Sequence, residues 1–373
     1  MKKEWYALAT MLGMIVGAGI LGIPYAFMKA GLLYGILNLL VVGFFVTIVN
    51  LWIGEIVLRT NGRHQLTGYA EKYLGKFGKE LMAFAMVIGI YGAMIAYLIG
   101  SGETLASLFG GNPFFYTVAF FIIFSTLIFA GIKTLSRTEF FFMIAKGIFF
   151  LAIIVLILAF IKPGNLVMNS FSISSSLFPF GIVLFALLGM SSIPEVRELV
   201  SHDPKKLKKI IILGSIIPIA IYLIFGIVFL LVFGNNIAEV ATISLAKISE
   251  VSFIFGAAFA LVGMTTAYLA LGLALQEMYN YDYKLSKKIS FMLTCGIPII
   301  LVLIGVKSFI KTIGLAGALS GGLTAILVTF MFYRAKNVGE RKPEYEIKKN
   351  IVLTALIIIV FILGMAIELW NLL

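Results

Sequence analysis

The feature that most constrains this chain is a run of about 20 apolar residues that recurs from one end to the other. Each run can cross a hydrocarbon layer of ~30 Å as an α-helix, and none alternates polar and apolar residues as a barrel strand does. The runs fall at about 5 to 29, 32 to 58, 80 to 109, 114 to 132, 139 to 161, 177 to 199, 209 to 233, 251 to 279, 289 to 306, 309 to 333 and 350 to 371. Backbone donors and acceptors have no water to bond in hydrocarbon, so each run must satisfy its own, as a helix does. The expectation is an all-α polytopic membrane protein of eleven transmembrane helices. The first run is too long for a signal-peptide core and no small-residue cleavage site follows it, so it is expected to be retained.

A formal net charge of +12 would suit a nucleic-acid partner, but the positions of the basic residues say otherwise. They cluster in alternate connecting segments, leaving Lys29, Lys162, Lys247, Lys307 and Lys311 on the opposite side and Lys146 inside the fifth span. By the positive-inside rule this places the N-terminus in the cytoplasm and the C-terminus outside, in the cell (cytoplasmic) membrane. The basic segment Arg197 to Lys209 then reads as a loop facing membrane lipid, with no nucleic acid involved. Cys295 is the sole cysteine, and His64, His202, Asp203 and Asp282 all fall in cytoplasmic loops. No span supplies the ligands or carboxylates that a metal hydrolase, haem protein or intramembrane protease needs, so neither an enzyme nor a cofactor is expected.

Within the first span, GAGILGIPY (Gly17 to Tyr25) sets three glycines and a proline where the helix needs its hydrogen bonds. Pro24 lacks an amide donor and its ring clashes with the carbonyl of Ile20, so the helix is expected either to break here or to kink, packed closely through Gly13 and Gly17. The sixth span repeats the pattern in FALLGMSSIPEV (Phe185 to Val196), where a small or polar stretch again precedes Ile-Pro. Five spans separate the two, so they run in opposite directions. Paired interruptions of opposite orientation point to an inverted-repeat transporter with its binding site at the membrane midplane.

GAGILGIPYAF with the following Gly31 turn, and GMSSIPEVRELVSHDPKKLKKII beginning at Gly189, resemble the first and sixth helices of the amino acid/auxin permeases, within the amino acid, polyamine and organocation superfamily. The resemblance covers nearly the whole chain. It implies a LeuT-like 5+5 inverted repeat with discontinuous helices 1 and 6, in which spans 1, 2, 6 and 7 form a moving bundle. Residues 1–161 would be the first repeat, 177–333 the inverted second, and 350–371 an extra helix, in one structural domain.

A broken helix offers both poles of an α-amino acid a place. Amides around Gly17, Ala18, Gly19 and Ile20 head the second half-helix and suit a carboxylate, each such interaction being worth ~0.3 to 2 kcal/mol. Carbonyls near Ile15 and Val16, and near Phe185, Ala186 and Leu188 on the sixth span, would accept from the ammonium. Phe185 stands where the resemblance implies a bulky gating residue. No charged residue falls near the midplane on spans 1, 3, 6, 8 or 10, which favours a neutral amino acid, with Tyr91, Met94, Ile95 and Tyr268 as candidate pocket residues.

Lys146 lies about seven residues into the fifth span, ~10 Å deep, and either snorkels to the interface or exchanges a proton. The resemblance implies the latter, since a lysine there often occupies the place of a sodium ion, near carbonyls at Gly13 and Met14 and the Thr265/Thr266 pair. In sodium-coupled relatives such hydroxyls hold the ion instead, so proton is expected as the coupling ion and sodium at Thr265 and Thr266 is the alternative; no other metal is expected. A channel lacks support because no polar pore stripe is present, whereas another small amine on the same fold, such as a polyamine, stays open. Glu55, Glu195, Arg197, Glu198 and Glu277 are placed at cytoplasmic helix ends and Glu103 at an outer one. The stretches Leu66 to Leu81 and Ile237 to Val251 are expected to lie along the membrane.

Overall fold

A computed structural model describes residues 3–131, 135–165 and 172–370, with side chains omitted at 3, 135–141, 173, 174, 281 and 282. The expected repeat ends at residues 1, 2 and 371, and the Asp282 side chain, lie outside the described residues. Every regular element among the described residues is helical. The first span is broken into α1 (Lys3–Ile15), a 3₁₀ segment (Ala18–Gly22) and α2 (Ile23–Ala30), with its halves bent by 43°. There follow α3 (Leu32–Arg59), α4 (Leu66–Phe109), α5 (Pro113–Ala130) and α6 (Leu135–Leu158). The sixth span is likewise divided, into α7 (Ile173–Leu177), α8 (Pro179–Ala186), a 3₁₀ turn (Met190–Ser192) and α9 (Ile193–Leu199). After α10 (Leu207–Phe233) and α11 (Glu250–Glu277) come α12 (Lys287–Phe291) and α13 (Ile297–Ile304), joined by a π-helical turn, then α14 (Phe309–Ala316) and α15 (Gly322–Val338), joined by another, and α16 (Ile351–Trp370).

Nine spans among the described residues are long and apolar enough to cross a membrane, the bent α1/α2 pair makes a tenth, and Phe142–Leu158 is a shorter apolar helix. The chain is a multi-pass membrane protein. Large aliphatic and aromatic side chains face outward along α3 (Leu33, Leu37, Leu40, Phe44) and α6 (Ile148, Leu151, Val155), at the spacing that forms one helical stripe. In lipid such a stripe is solvated, so it needs no protein cover.

Proline placement explains where the spans divide. Pro24 and Pro194 sit in the first turns of α2 and α9, where an amide has no intrahelical acceptor and its loss is harmless. Pro218 lies inside α10, which continues through it. Gly75 adopts φ 75°, ψ −170° inside α4, so residues 66–74 form a separate helical arm ahead of the spanning part. The stretch at Ile237 to Val251 packs on the helix that follows it. Its 3₁₀ segment Ala241–Lys247 buries Ala241 and Leu245, with Ile237 and Val240 ahead of it, and packs against α11, because Gly256 leaves room for Leu245 and Thr242. This stretch is thus packed onto the helices through its apolar side chains.

The helices divide into two groups. α10 packs on α1, α2 and α3, while α8 packs on α2 and α3 and α9 on α1 and α3. On the other side, α11 packs on α4, α5 and α6, while α14 bridges α4 and α8.

Candidate functional site

The two helix breaks touch each other. α1 ends at Ile15, whose carbonyl accepts from the Gly17 amide at 2.9 Å, and Gly17 turns to extended backbone (φ −115°, ψ −152°). Ala18 and Gly19 then open the 3₁₀ segment, at positions whose amides have no acceptor within it. On the partner span, α8 ends at Ala186 and Gly189 turns the chain, its carbonyl receiving the Ser192 hydroxyl at 2.7 Å. A Cβ at Gly19 would stand 2.7 Å from the Ala186 Cα, and one at Gly189 would stand 2.2 Å from Ile15 Cγ1. Each break therefore requires a glycine against the other's last helical turn. Gly13 and Gly17 differ, since a Cβ at either would meet nothing within 4 Å.

Several of the carbonyls expected to await an ammonium carry protein donors here. The Tyr222 hydroxyl of α10 donates to Ile15 O at 2.6 Å and to Ala186 O at 2.9 Å. Val16 O accepts from Lys146 Nζ at 3.3 Å, and Phe185 O from the Leu188 amide at 3.2 Å. Phe185 itself is buried against Gly317 in the π-helical turn before α15, and Leu188 packs near Gly321. Tyr222 was not anticipated. Its signal was a lone phenol in the otherwise apolar run IIPIAIYLIFGIV, since a buried hydroxyl in a membrane span needs a partner.

A cavity of about 210 Å³ runs along one face of α1, past Tyr6, Thr10, Gly13 and Met14, and ends at Gly17. α6 contributes Phe142, Met143 and Lys146 to its wall, α11 contributes Thr266 and Ala267, and α4 contributes Tyr97. The structure thus gathers Gly13, Met14, Gly17, Lys146 and Thr266 around one space, with Ile20 and Ala18 buried just beyond it. Lys146 reaches the Val16 carbonyl, two residues past the expected Gly13 and Met14. The Thr266 hydroxyl bonds back to Val262 O (2.8 Å) and Gly263 O (3.2 Å) of its own helix, while Thr265, its half-buried neighbour, is not among the cavity-lining residues.

Tyr91, Met94, Ile95 and Tyr268, the candidate pocket residues, are not among those lining this cavity. Tyr91 bonds Tyr279 (2.8 Å) and Leu293 O (3.1 Å), and Tyr268 bonds Ser125 at 2.9 Å with its ring edge-on to Phe120. Met94 and Ile95 are buried, with Met94 near Gly272. Tyr97, Tyr6 and Phe142 are the aromatic residues at the cavity.

A polar cluster lies at the α3 terminus. Glu55 is fully buried; its Oε1 pairs with Arg59 Nε and Lys336 Nζ, both at 2.9 Å, and its Oε2 accepts the Ile347 amide at 2.7 Å. Tyr345 donates to Leu51 O at 2.7 Å, over Gly54, where a Cβ would stand 2.2 Å from that hydroxyl. Burial holds the Tyr345 phenol well above its ordinary range, with the Glu55 charge adding to the effect. The segment joining α15 and α16 is strapped onto α3. Nearby, Arg63 pairs with Glu198 at 3.4 Å and Lys206 with Glu4 at 2.5 Å and Asp203 at 3.0 Å.

The pattern of the tryptophan/tyrosine permease family matches residues 1–370. Glutamine transporter 2 of Aliivibrio fischeri is 26% identical over 360 residues, covering 90% of this chain and 88% of its own. Tyrosine-specific transport system 1 of Haemophilus influenzae is 26% identical over 395 residues, 98% of this chain and 96% of its own. Vacuolar amino acid transporter 2 of Saccharomyces cerevisiae is 29% identical over a shorter 167 residues, 40% and 34% of the two chains.

Proposed function

This chain belongs to the tryptophan/tyrosine permease family, an amino acid transporter family, and on that premise we propose that it is a secondary active transporter moving a neutral amino acid by alternating access, driven by a proton. Of the residues lining the cavity, Lys146 alone bears a formal charge. A cationic side chain would face like charge there and find no carboxylate partner, whereas a zwitterion with an uncharged side chain needs only the amides and carbonyls of the breaks.

The observation that carries this reading is the Lys146 ammonium on the Val16 carbonyl at the broken end of α1. A protonated lysine ties α6 to the break, and a neutral one loses most of that attraction, so proton exchange would loosen the frame from the bundle. A sodium ion beside the same ammonium would be repelled in a low dielectric. On this reading α6 and the bent pair both count, giving eleven spans in two inverted repeats, 1–161 and 177–333, with 350–371 added. The cavity extends along α1 toward its N-terminal end, so with that terminus in the cytoplasm the conformation is inward-facing.

The test is uptake of labelled neutral amino acids into proteoliposomes under an inward proton gradient without sodium. Accumulation that collapses with a protonophore is expected. Uptake only after sodium is added would move coupling to Thr265 and Thr266, and uptake under neither gradient would overturn the transport reading.

A further inference from the structure

The C-terminal ends of α1 and α8 converge on one point inside the molecule, and the Tyr222 hydroxyl sits there. Both ends carry the negative pole of a helix dipole, and the last carbonyl of each, Ile15 O and Ala186 O, lies where the regular helical ladder has stopped. Two such ends repel unless a donor stands between them. Tyr222 is fully buried and its oxygen lies within hydrogen-bond distance of Ile15 O and Ala186 O, so one proton is shared by both breaks without competition from water. The close approach of Gly19 to the Ala186 backbone, and of Gly189 to the Ile15 side chain, joins the two breaks directly, and Tyr222 ties both to a third span.

We propose that Tyr222 is a positioning residue for the transported amino acid, fixing the register of the two breaks so that amides at Ala18 and Gly19 keep a set distance from the carbonyls across the gap. It acts through Ile15 and Ala186 and need not touch substrate. The chemistry follows from the substrate's shape: an α-amino acid holds its carboxylate and ammonium at a fixed short separation, so both poles bind together only if the breaks do not slide past one another. Tyr222 comes from a third span, so the register does not depend on either broken helix alone. This inference rests on the amino acid transport reading above.

Tyr222→Phe in the full chain tests it, since the ring is kept and only the shared donor is lost. Two readouts are needed. Hydrogen–deuterium exchange in lipid nanodiscs is expected to accelerate in residues 12–20 and 186–192 together, while α5 is unchanged. Uptake of radiolabelled L-tyrosine and L-glutamine, taken separately, is expected to show a KM raised about tenfold, the scale of one lost hydrogen bond, with maximal rate within about twofold. Unchanged exchange in either break overturns the proposal. So does faster exchange with an unchanged KM, which would make Tyr222 a purely structural tie. A wild-type protein that takes up none of a set of labelled neutral amino acids would sink the transport reading, and the exchange pattern would still decide whether Tyr222 sets the register. Should Tyr222→Phe not accumulate as folded protein, Tyr222→Leu carries the same two readouts with the same expected direction, and Tyr222→Trp, whose indole N–H still donates, is expected to stay nearer to wild type in both; a Trp variant as impaired as the Leu variant would overturn the proposal.

Discussion

Gly19 and Ala186 lie so close that a single added methyl at Gly19 would fall 2.7 Å from the Ala186 Cα and 3.1 Å from its Cβ. The atoms in the way are backbone, so neither break can yield without separating from the other. Gly19→Ala is expected to destabilise the folded protein by about 1–3 kcal/mol, as overpacking does. Gly17→Ala, with open space around it and φ at −115°, should change stability by less than about 0.5 kcal/mol while weakening amino acid binding beside the Ala18 amide. Thermal melts and equilibrium binding of both variants check this. Normal binding by Gly17→Ala would show that the break is architectural.

Lys146→Met keeps an unbranched side chain, one atom shorter, and removes its charge. The variant is expected to stay folded and to lose the response of uptake to a proton gradient, because nothing at the Val16 carbonyl then titrates. Uptake measured across a pH series in wild type and variant decides it; the same pH dependence in both would refute proton coupling through this residue.

Removing Glu55 strands the Lys336 ammonium at a buried position and leaves Arg59 with Glu346 alone, at 2.9 Å. Lys336 and Arg59 are about nine-tenths covered, with side chains 10% and 12% exposed, so Glu55→Ala should destabilise by about 3–5 kcal/mol. Gly54→Ala attacks the same strap sterically, by displacing Tyr345. Melting temperature and protease cleavage within 339–350 report on both variants, and cleavage as slow as in wild type would mean that the strap stays in place without these contacts.

The strap also has an acid limit. Lys72, hydrogen-bonded at 2.6 Å, and the Asn61 amide hold the Glu340 carboxyl below its ordinary 4.5. A depressed folded value stabilises above the unfolded value and is lost as pH falls through the folded one, so attachment should weaken below about pH 4.5. Lys206 has the opposite sign: Glu4 and Asp203 raise it above 10.5, so its contribution is present below that value and lost as pH rises past the folded one. Protease cleavage of 339–350 followed against pH should rise on the acid side, and Glu340→Gln should flatten that rise.

The breaks were legible because their causes are local. Pro24 and Pro194 each lack an amide, and the small residues ahead of them permit an extended turn, so the interruption is written within a dozen residues. Lys146 stood out as a charge in an apolar run. The tyrosines are harder to tell apart: Tyr91, Tyr97, Tyr222 and Tyr268 look alike in the sequence, and their contacts differ only by what lies across the helix interface. Glu55 read as an ordinary helix-end charge because its partners, Lys336 and Ile347, are nearly 300 residues away.

By itself the sequence determined a helical membrane protein and the spans that would break, since hydrophobic length and proline chemistry act over one helix at a time. The tertiary structure alone decided that the breaks interlock through Gly19 and Gly189, that Tyr222 bridges them, and that Lys146 meets Val16 instead of the lipid interface. Those outcomes depend on which helix faces which, and in a chain whose spans are nearly all apolar on every side, hydrophobicity does not select the facing partner. Close packing at small residues and the few buried polar groups that must find one another do.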